Sequence, residues 1–163
     1  MILQRQPNAW SCALCAVAMV IDEGWRKLIE EVGHDGSEIV LPTLPNPGCR
    51  RGFHLQELIP LALKRKFAVT PIEALPYSTP DGKSEFPVDF PEGNEKRLQN
   101  YMKNSQGVLC GLAGKWRHAV AWTGKQIYDP RGIIYSLDDC KIDIEIYYRF
   151  DRIKWNFPFG TFE

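Results

Sequence analysis

Apolar positions divide the chain into a helical first part and a strand-rich second part. Residues 12–21 are apolar on nearly every face, which predicts a central, buried helix. Ser11 directly precedes this run and is the expected cap, with Asn8 as the alternative. Gly24 then marks a break, and residues 25–32 are typical of a short amphipathic helix.

A further helix is predicted over residues 53–66, where apolar residues recur on one side. Pro60 falls inside this pattern and predicts either a kink or a later start near Leu58. The remaining elements expected in this part are a strand over residues 67–72 and a helix over residues 93–104.

After residue 104 the pattern changes to short β-type runs separated by turn residues. Strands are predicted over residues 108–112, 118–123, 126–128 and 133–135, while residues 142–150 fit either a strand or a helix. Residues 42–52 and 76–92 are dense in Pro and Gly and are expected to be loops. Helices followed by antiparallel strands predict an α+β fold, with an N-terminal helical part packed on a C-terminal sheet.

Composition limits the classes of partner. The chain has 163 residues, 44% of them apolar, which predicts a single domain over residues 1–163 with a substantial core. Twenty basic side chains balance twenty acidic ones, so net charge gives no reason to expect nucleic acid or an anionic membrane as a partner. No apolar run approaches the length of about eighteen residues that spans a bilayer.

The five cysteines are expected to be free thiols. The N-terminal residues lack the features of a secretory signal, so a reducing, cytoplasmic location is expected. Two of the cysteines have zinc-like spacing, but no second close pair accompanies them, so we expect neither a metal nor another cofactor. The five are Cys12, Cys15, Cys49, Cys110 and Cys140.

One cysteine has the sequence context of a nucleophile. Cys12 opens the predicted helix, whose positive N-terminal end favours a thiolate. His118 leads a predicted strand and is the expected base, and Asp129 ends the next strand, where it can orient the imidazole. A hairpin through residues 124–125 would place His118 and Asp129 at the same end of the sheet.

The oxyanion of such a reaction needs hydrogen-bond donors. The Cys12 N–H is one, and a side-chain amide just upstream is the expected second. Gln6 is preferred over Gln4 because Pro7 biases Gln6 toward an extended conformation that can direct its amide to the cysteine. Asn8 is a weaker candidate.

Several short motifs occur in an order and spacing that match a known pattern. They are Gln6, Trp10-Ser11-Cys12, Ala16-Val17-Ala18-Met19-Val20, His118-Ala-Val-Ala-Trp-Thr-Gly124 and Asp129-Pro130. Together they resemble the bacteriocin-processing (double-glycine leader) peptidases and their standalone relatives, which are papain-clan enzymes. The resemblance implies a papain-like fold and a peptide or protein substrate. It also implies Cys12 as nucleophile, His118 as base, Asp129 as orienting acid and Gln6 as oxyanion donor.

The chain departs from that family pattern at two points. Ala13 stands where the family has Gly after the cysteine, and the membrane spans and ATPase of transporter-linked members are not found in the sequence. A cysteine peptidase is therefore the main hypothesis. A deamidase or a transglutaminase-like acyl transferase would use the same triad, and an inactive peptide-binding module would keep the same fold.

Other interpretations of the same residues remain open. Cys12 would also fit a buried core position, and Cys12 with Cys15 has the spacing of a redox dithiol, although no strand is predicted before Ser11. His34 and His54 are the rival histidines, but neither leads a strand that is followed by an acid. 

Overall fold

The computed structural model describes residues 1–38, 52–74 and 94–154. Cys49 and the loops predicted over residues 42–52 and 76–92, apart from Gly52, lie outside these ranges. The described helices are α1 (Cys12–Val20), α2 (Trp25–Val32), α3 (Leu55–Lys64) and α4 (Asn94–Met102). The described strands are β1 (Phe67–Glu73), β2 (Gln106–Ala113), β3 (Trp116–Trp122), β4 (Ile127–Asp129), β5 (Ile133–Tyr135) and β6 (Asp143–Arg152).

Six antiparallel strands form one sheet in the order β1-β6-β2-β3-β4-β5. The mixture of helices with an antiparallel sheet confirms the predicted α+β class. The segment left ambiguous by the sequence is the long strand β6, which lies between β1 and β2 and pairs with both. None of the described helices has the length and apolar content needed to cross a membrane.

The first helix is the centre of the core. All of α1 after Cys12 is buried, as its uniformly apolar sequence predicts, and the helix packs against β2 and β3. Val108 on β2 belongs to the same apolar cluster as α1, whereas its neighbour Leu109 belongs to a second cluster. This alternation shows that β2 has apolar side chains on both faces. The sheet therefore fixes α1, and with it the position of Cys12.

The prediction of a later start for the third helix is wrong. α3 begins at Leu55 and continues through Pro60. The Glu57 carboxylate accepts the His54 N–H just before the helix, which satisfies one backbone donor at its start. Leu58 and Ala62 are fully buried, so tertiary packing compensates for the hydrogen bond that a proline inside a helix removes.

Close strand contact at Gly111 gives a stability prediction. A Cβ atom at this position would lie 2.0 Å from the backbone oxygen of Asp143 on β6. We expect Gly111→Ala to lower the free energy of unfolding by about 2–3 kcal/mol, since the backbone must shift to admit the methyl group. Urea denaturation measures this loss. Gly24→Ala, at a position with open space, is the control and should cost less than about 1 kcal/mol; equal losses would contradict the argument.

Candidate active site

The structure brings His118 and Asp129 together at one end of neighbouring strands. β3 and β4 pair through Ala121 with Tyr128, and the tight turn at Gly124 closes the hairpin as predicted. The His118 Nε2 atom lies 2.9 Å from Asp129 Oδ1. The Asp129 side chain is fully buried and that of His118 is 10% exposed. The histidine is therefore oriented by a carboxylate from which water is excluded.

The Cys12 thiol is the second group that acts on the His118 ring. Burial lowers the pKa of His118, but the hydrogen bonds with Asp129 and with Cys12 outweigh it and raise that pKa from 6.5 to about 9. Because Nε2 is engaged by Asp129, Nδ1 is the ring nitrogen left to serve the half-buried thiol. At neutral pH the ring is thus an imidazolium, the form that can donate a proton.

Two further side chains hold the Asp129 carboxylate. The Arg131 guanidinium donates to both carboxylate oxygens, from Nη2 at 2.7 Å and from Nε at 3.0 Å to Oδ2, and from Nε at 3.2 Å to Oδ1. The Arg131 backbone N–H donates to Oδ1 at 2.8 Å and the Tyr135 hydroxyl to Oδ2 at 3.2 Å. Neither Arg131 nor Tyr135 was predicted from the sequence as a site residue. Asp-Pro-Arg-Gly is a turn signal, and an arginine two residues after an acid in such a turn is the clue that was available.

The same contacts determine the charge of Asp129. Burial raises the pKa of this carboxyl, but the hydrogen bonds from His118 and Arg131 lower it well below its ordinary value. Asp129 is therefore ionised at neutral pH despite being buried. It faces two cations, the imidazolium and the guanidinium.

Gln6 lies beside the turn that follows Asp129. Its backbone N–H donates to the Pro130 carbonyl at 2.8 Å, which ties the N-terminal segment to the end of β4. The side-chain Nε2 donates to the Asn8 carbonyl at 2.7 Å, and Oε1 is buried with no partner among the described residues. An amide nitrogen has two hydrogens, so one remains for an oxyanion. The predicted donor role of Gln6 stays a prediction.

The start of α1 differs from the expectation. Ser11 is the N-cap residue, but its side chain does not cap the helix; its hydroxyl donates to the Asn8 side-chain oxygen instead. Asn8 also accepts the Trp10 N–H at 3.2 Å, and neither side chain bonds the first turn. The positive end of the helix is consequently directed at Cys12 without a capping side chain to offset it.

The remaining described thiols are poor nucleophiles. Burial raises the pKa of Cys15 to about 12, and also that of Cys110, with the nearby Cys12 adding to both shifts. Burial likewise raises the pKa of Cys140. Among the described residues, no group of three or more His, Cys, Asp or Glu side chains is placed to hold a metal ion. The chemistry of the site therefore centres on Cys12.

Both rival histidines are connected to Glu57. His34 Nδ1 accepts the Gly36 N–H at 3.1 Å, and Nε2 lies 3.0 Å from the Glu57 carboxylate. His54 directly precedes α3, and its N–H is bonded to the same glutamate. These contacts connect two chain segments near Phe53, whose ring stacks on His34. His118 is the histidine that the structure places against Cys12.

No protein-family model matches the chain, and no curated protein matches it significantly in sequence. The resemblance to bacteriocin-processing peptidases therefore depends on the motif residues alone.

Proposed function

We propose that this protein is a cysteine hydrolase, most specifically a peptidase of the papain-like kind, that works through Cys12, His118 and Asp129. The observation that carries the proposal is the His118 ring, which lies 2.9 Å from the buried Asp129 carboxylate on a strand against which the helix opened by Cys12 packs. The Cys12 thiol also contributes to the raised pKa of that ring. A thiol, an imidazole and a carboxylate in this order are the groups that nucleophilic acyl transfer requires.

The geometry supports a two-step reaction. The Cys12 sulfur attacks the carbonyl carbon of a peptide bond, and the oxyanion is held by the Cys12 N–H and the Gln6 amide. His118 gives its proton to the leaving nitrogen, the C–N bond breaks and a thioester remains. His118 then takes a proton from water, whose oxygen attacks the thioester carbon; the C–S bond breaks, and the acid leaves behind the Cys12 thiolate and the His118 imidazolium.

Deamidation and acyl transfer share the first step. In a deamidase the leaving group is ammonia, and in an acyl transferase an amine replaces water in the second step. The described residues favour none of these over peptide hydrolysis, and the motif resemblance favours the peptidase. An inactive peptide-binding module is the non-enzymatic alternative, and it does not require a reactive Cys12.

Selective alkylation tests the proposal directly. We expect iodoacetamide at pH 6.5 to label Cys12 at least about tenfold faster than a cysteine in an unfolded peptide, because the imidazolium and the helix end favour the thiolate. Labelling is located by peptide mass spectrometry, with Cys15 and Cys110 as internal controls whose high pKa values predict slow labelling. The His118 imidazolium should persist until pH approaches about 9.

The products then identify the reaction. Incubation with a peptide library shortens peptides if the protein is a peptidase, adds about one mass unit if it is a deamidase, and joins an added amine if it is an acyl transferase. Labelling of Cys12 no faster than that of the unfolded peptide would contradict the whole proposal. Fast labelling without any product would support the binding module instead.

A further inference from the structure

The Asp129 carboxylate has more donors than a histidine-orienting acid needs. His118 supplies one hydrogen bond to the carboxylate. Arg131 adds a two-pronged contact from its side chain and a further hydrogen bond from its backbone N–H. The Arg131 side chain is 53% exposed, but the carboxylate that it binds is fully buried. A partly solvated cation therefore reaches into the site and contacts both oxygens of the acid, including the Oδ1 that His118 bonds.

The charge of Arg131 acts on the imidazole through that acid. A buried carboxylate paired with a histidine alone stabilises the imidazolium strongly, because few other charges compete for it. Such a ring is a weak acid, and a general acid is most effective when its pKa is near the working pH. A guanidinium bound to the same carboxylate partly neutralises the negative charge of the carboxylate and repels the imidazolium. Both effects make the ring proton easier to release.

We propose that Arg131 is a positioning residue of this site. It fixes the Asp129 carboxylate, and it limits how much that carboxylate raises the proton affinity of His118. The inference rests on the proposed function for its catalytic meaning, but its effect on His118 is a property of the folded protein. Lys cannot replace the two-pronged contact, although it can keep the charge.

Cys12 and Tyr135, which also act on this pair, carry no positive charge. Cys12 on α1 is the thiol partner of the ring, and Tyr135 on β5 donates to Asp129 as a neutral hydroxyl. Burial raises the pKa values of Tyr135 and Cys140, so both are neutral in the neutral pH range. Of these neighbours, Arg131 is the one with a permanent positive charge.

Histidine titration by NMR tests this inference. The chain has three histidines, so the ring signals of His118 can be assigned by comparison with His118→Gln. In Arg131→Gln we expect the titration of His118 to move upward by about 0.5–1 pH unit, a range that allows for solvent screening of the half-exposed guanidinium. Arg131→Lys should stay within about 0.3 unit of the unchanged protein, because the cation remains.

Two matched controls separate charge from contact. Tyr135→Phe removes a neutral donor from Asp129 and should leave the titration of His118 in place. Arg149→Gln removes an arginine that likewise lies two residues from its aspartate partner, Asp151, but on β6; it should have no effect. If Arg131→Gln fails to fold, Arg131→Met repeats the test with a neutral side chain of comparable length.

The outcomes are distinct. An upward shift in the neutral Arg131 variants, absent from Arg131→Lys and both controls, supports the inference. If the titration of His118 does not shift in a folded neutral variant, the inference is overturned. It is also overturned if Arg131→Lys shifts this titration as much as Arg131→Gln does, because the effect would then come from the contact and not from the charge. Because titration needs no substrate, a slow-reacting Cys12 would count against the proposed function and leave this result unaffected.

Discussion

Cys12→Ala is expected to lower turnover by about 10⁴-fold or more, because it removes the thiol that forms the proposed thioester. The fold should persist, since Cys12 is the half-buried first residue of α1 and Ala has the best helix propensity. Circular dichroism and the urea midpoint check the fold, and mass spectrometry of a digested peptide library measures the turnover.

Cys15→Ala is the matched control for this prediction. Cys15 lies one turn further along α1 and is fully buried, so its replacement removes a thiol from the same helix without touching the site. We expect it to keep activity within a few-fold and to cost about 1 kcal/mol of stability through a small cavity. Equal losses in both variants would favour the dithiol interpretation over the single nucleophile.

Local patterns were enough to predict the elements that carry the candidate site. The uniform apolar run at residues 12–20 predicts a buried helix, because no other environment suits such a sequence. The hairpin at Gly124 fixes the register of β3 and β4, so the proximity of His118 and Asp129 follows from the spacing of a tight turn. Both inferences depend on residues that are close in sequence.

The features that were missed depend on contacts that periodicity does not encode. The position of β6 between β1 and β2 is decided by pairing across most of the chain, as in the contact of Phe67 with Arg152. Pro60 was expected to kink the third helix or delay its start. The buried neighbours of Pro60 instead keep α3 continuous from Leu55. The Arg131 contact requires a particular direction of a flexible side chain, which residue spacing alone leaves undetermined.

Asp129→Asn is expected to reduce turnover by about 10³-fold and to destabilise the fold. Each carboxylate oxygen faces donors, His118 and the Arg131 N–H on Oδ1, Arg131 and Tyr135 on Oδ2. In Asn one of the two oxygens is replaced by an NH2 group, which only donates hydrogen bonds. Whichever way the Asn side chain is turned, this group faces other donors, so neither orientation preserves all the hydrogen bonds. If the amide nitrogen faces His118, it favours the wrong tautomer of the ring.

The stability cost should depend on pH in a defined way. The depressed pKa of Asp129 contributes stability that is present above the ordinary carboxyl pKa of about 4 and is lost as pH falls below it. The raised pKa of His118 contributes stability that is complete below 6.5 and is lost as pH rises through about 9. Asp129→Asn removes the first contribution and the part of the second that comes from Asp129, so the difference from the unchanged protein should be largest between about pH 4 and 6.5, at about 2–4 kcal/mol.

Urea denaturation at pH 3, 5.5 and 9.5 measures this profile. Asp151→Asn breaks a comparable Arg–Asp pair whose members are both partly exposed, and it should cost less than about 1 kcal/mol at all three pH values. If Asp129→Asn lowered the free energy of unfolding equally at all three pH values, the buried carboxylate would contribute through packing rather than through its charge. A difference that peaks at pH 5.5 requires Asp129 to be ionised and His118 to be protonated in the folded protein, which is the charge state that the proposed reaction needs at its first step.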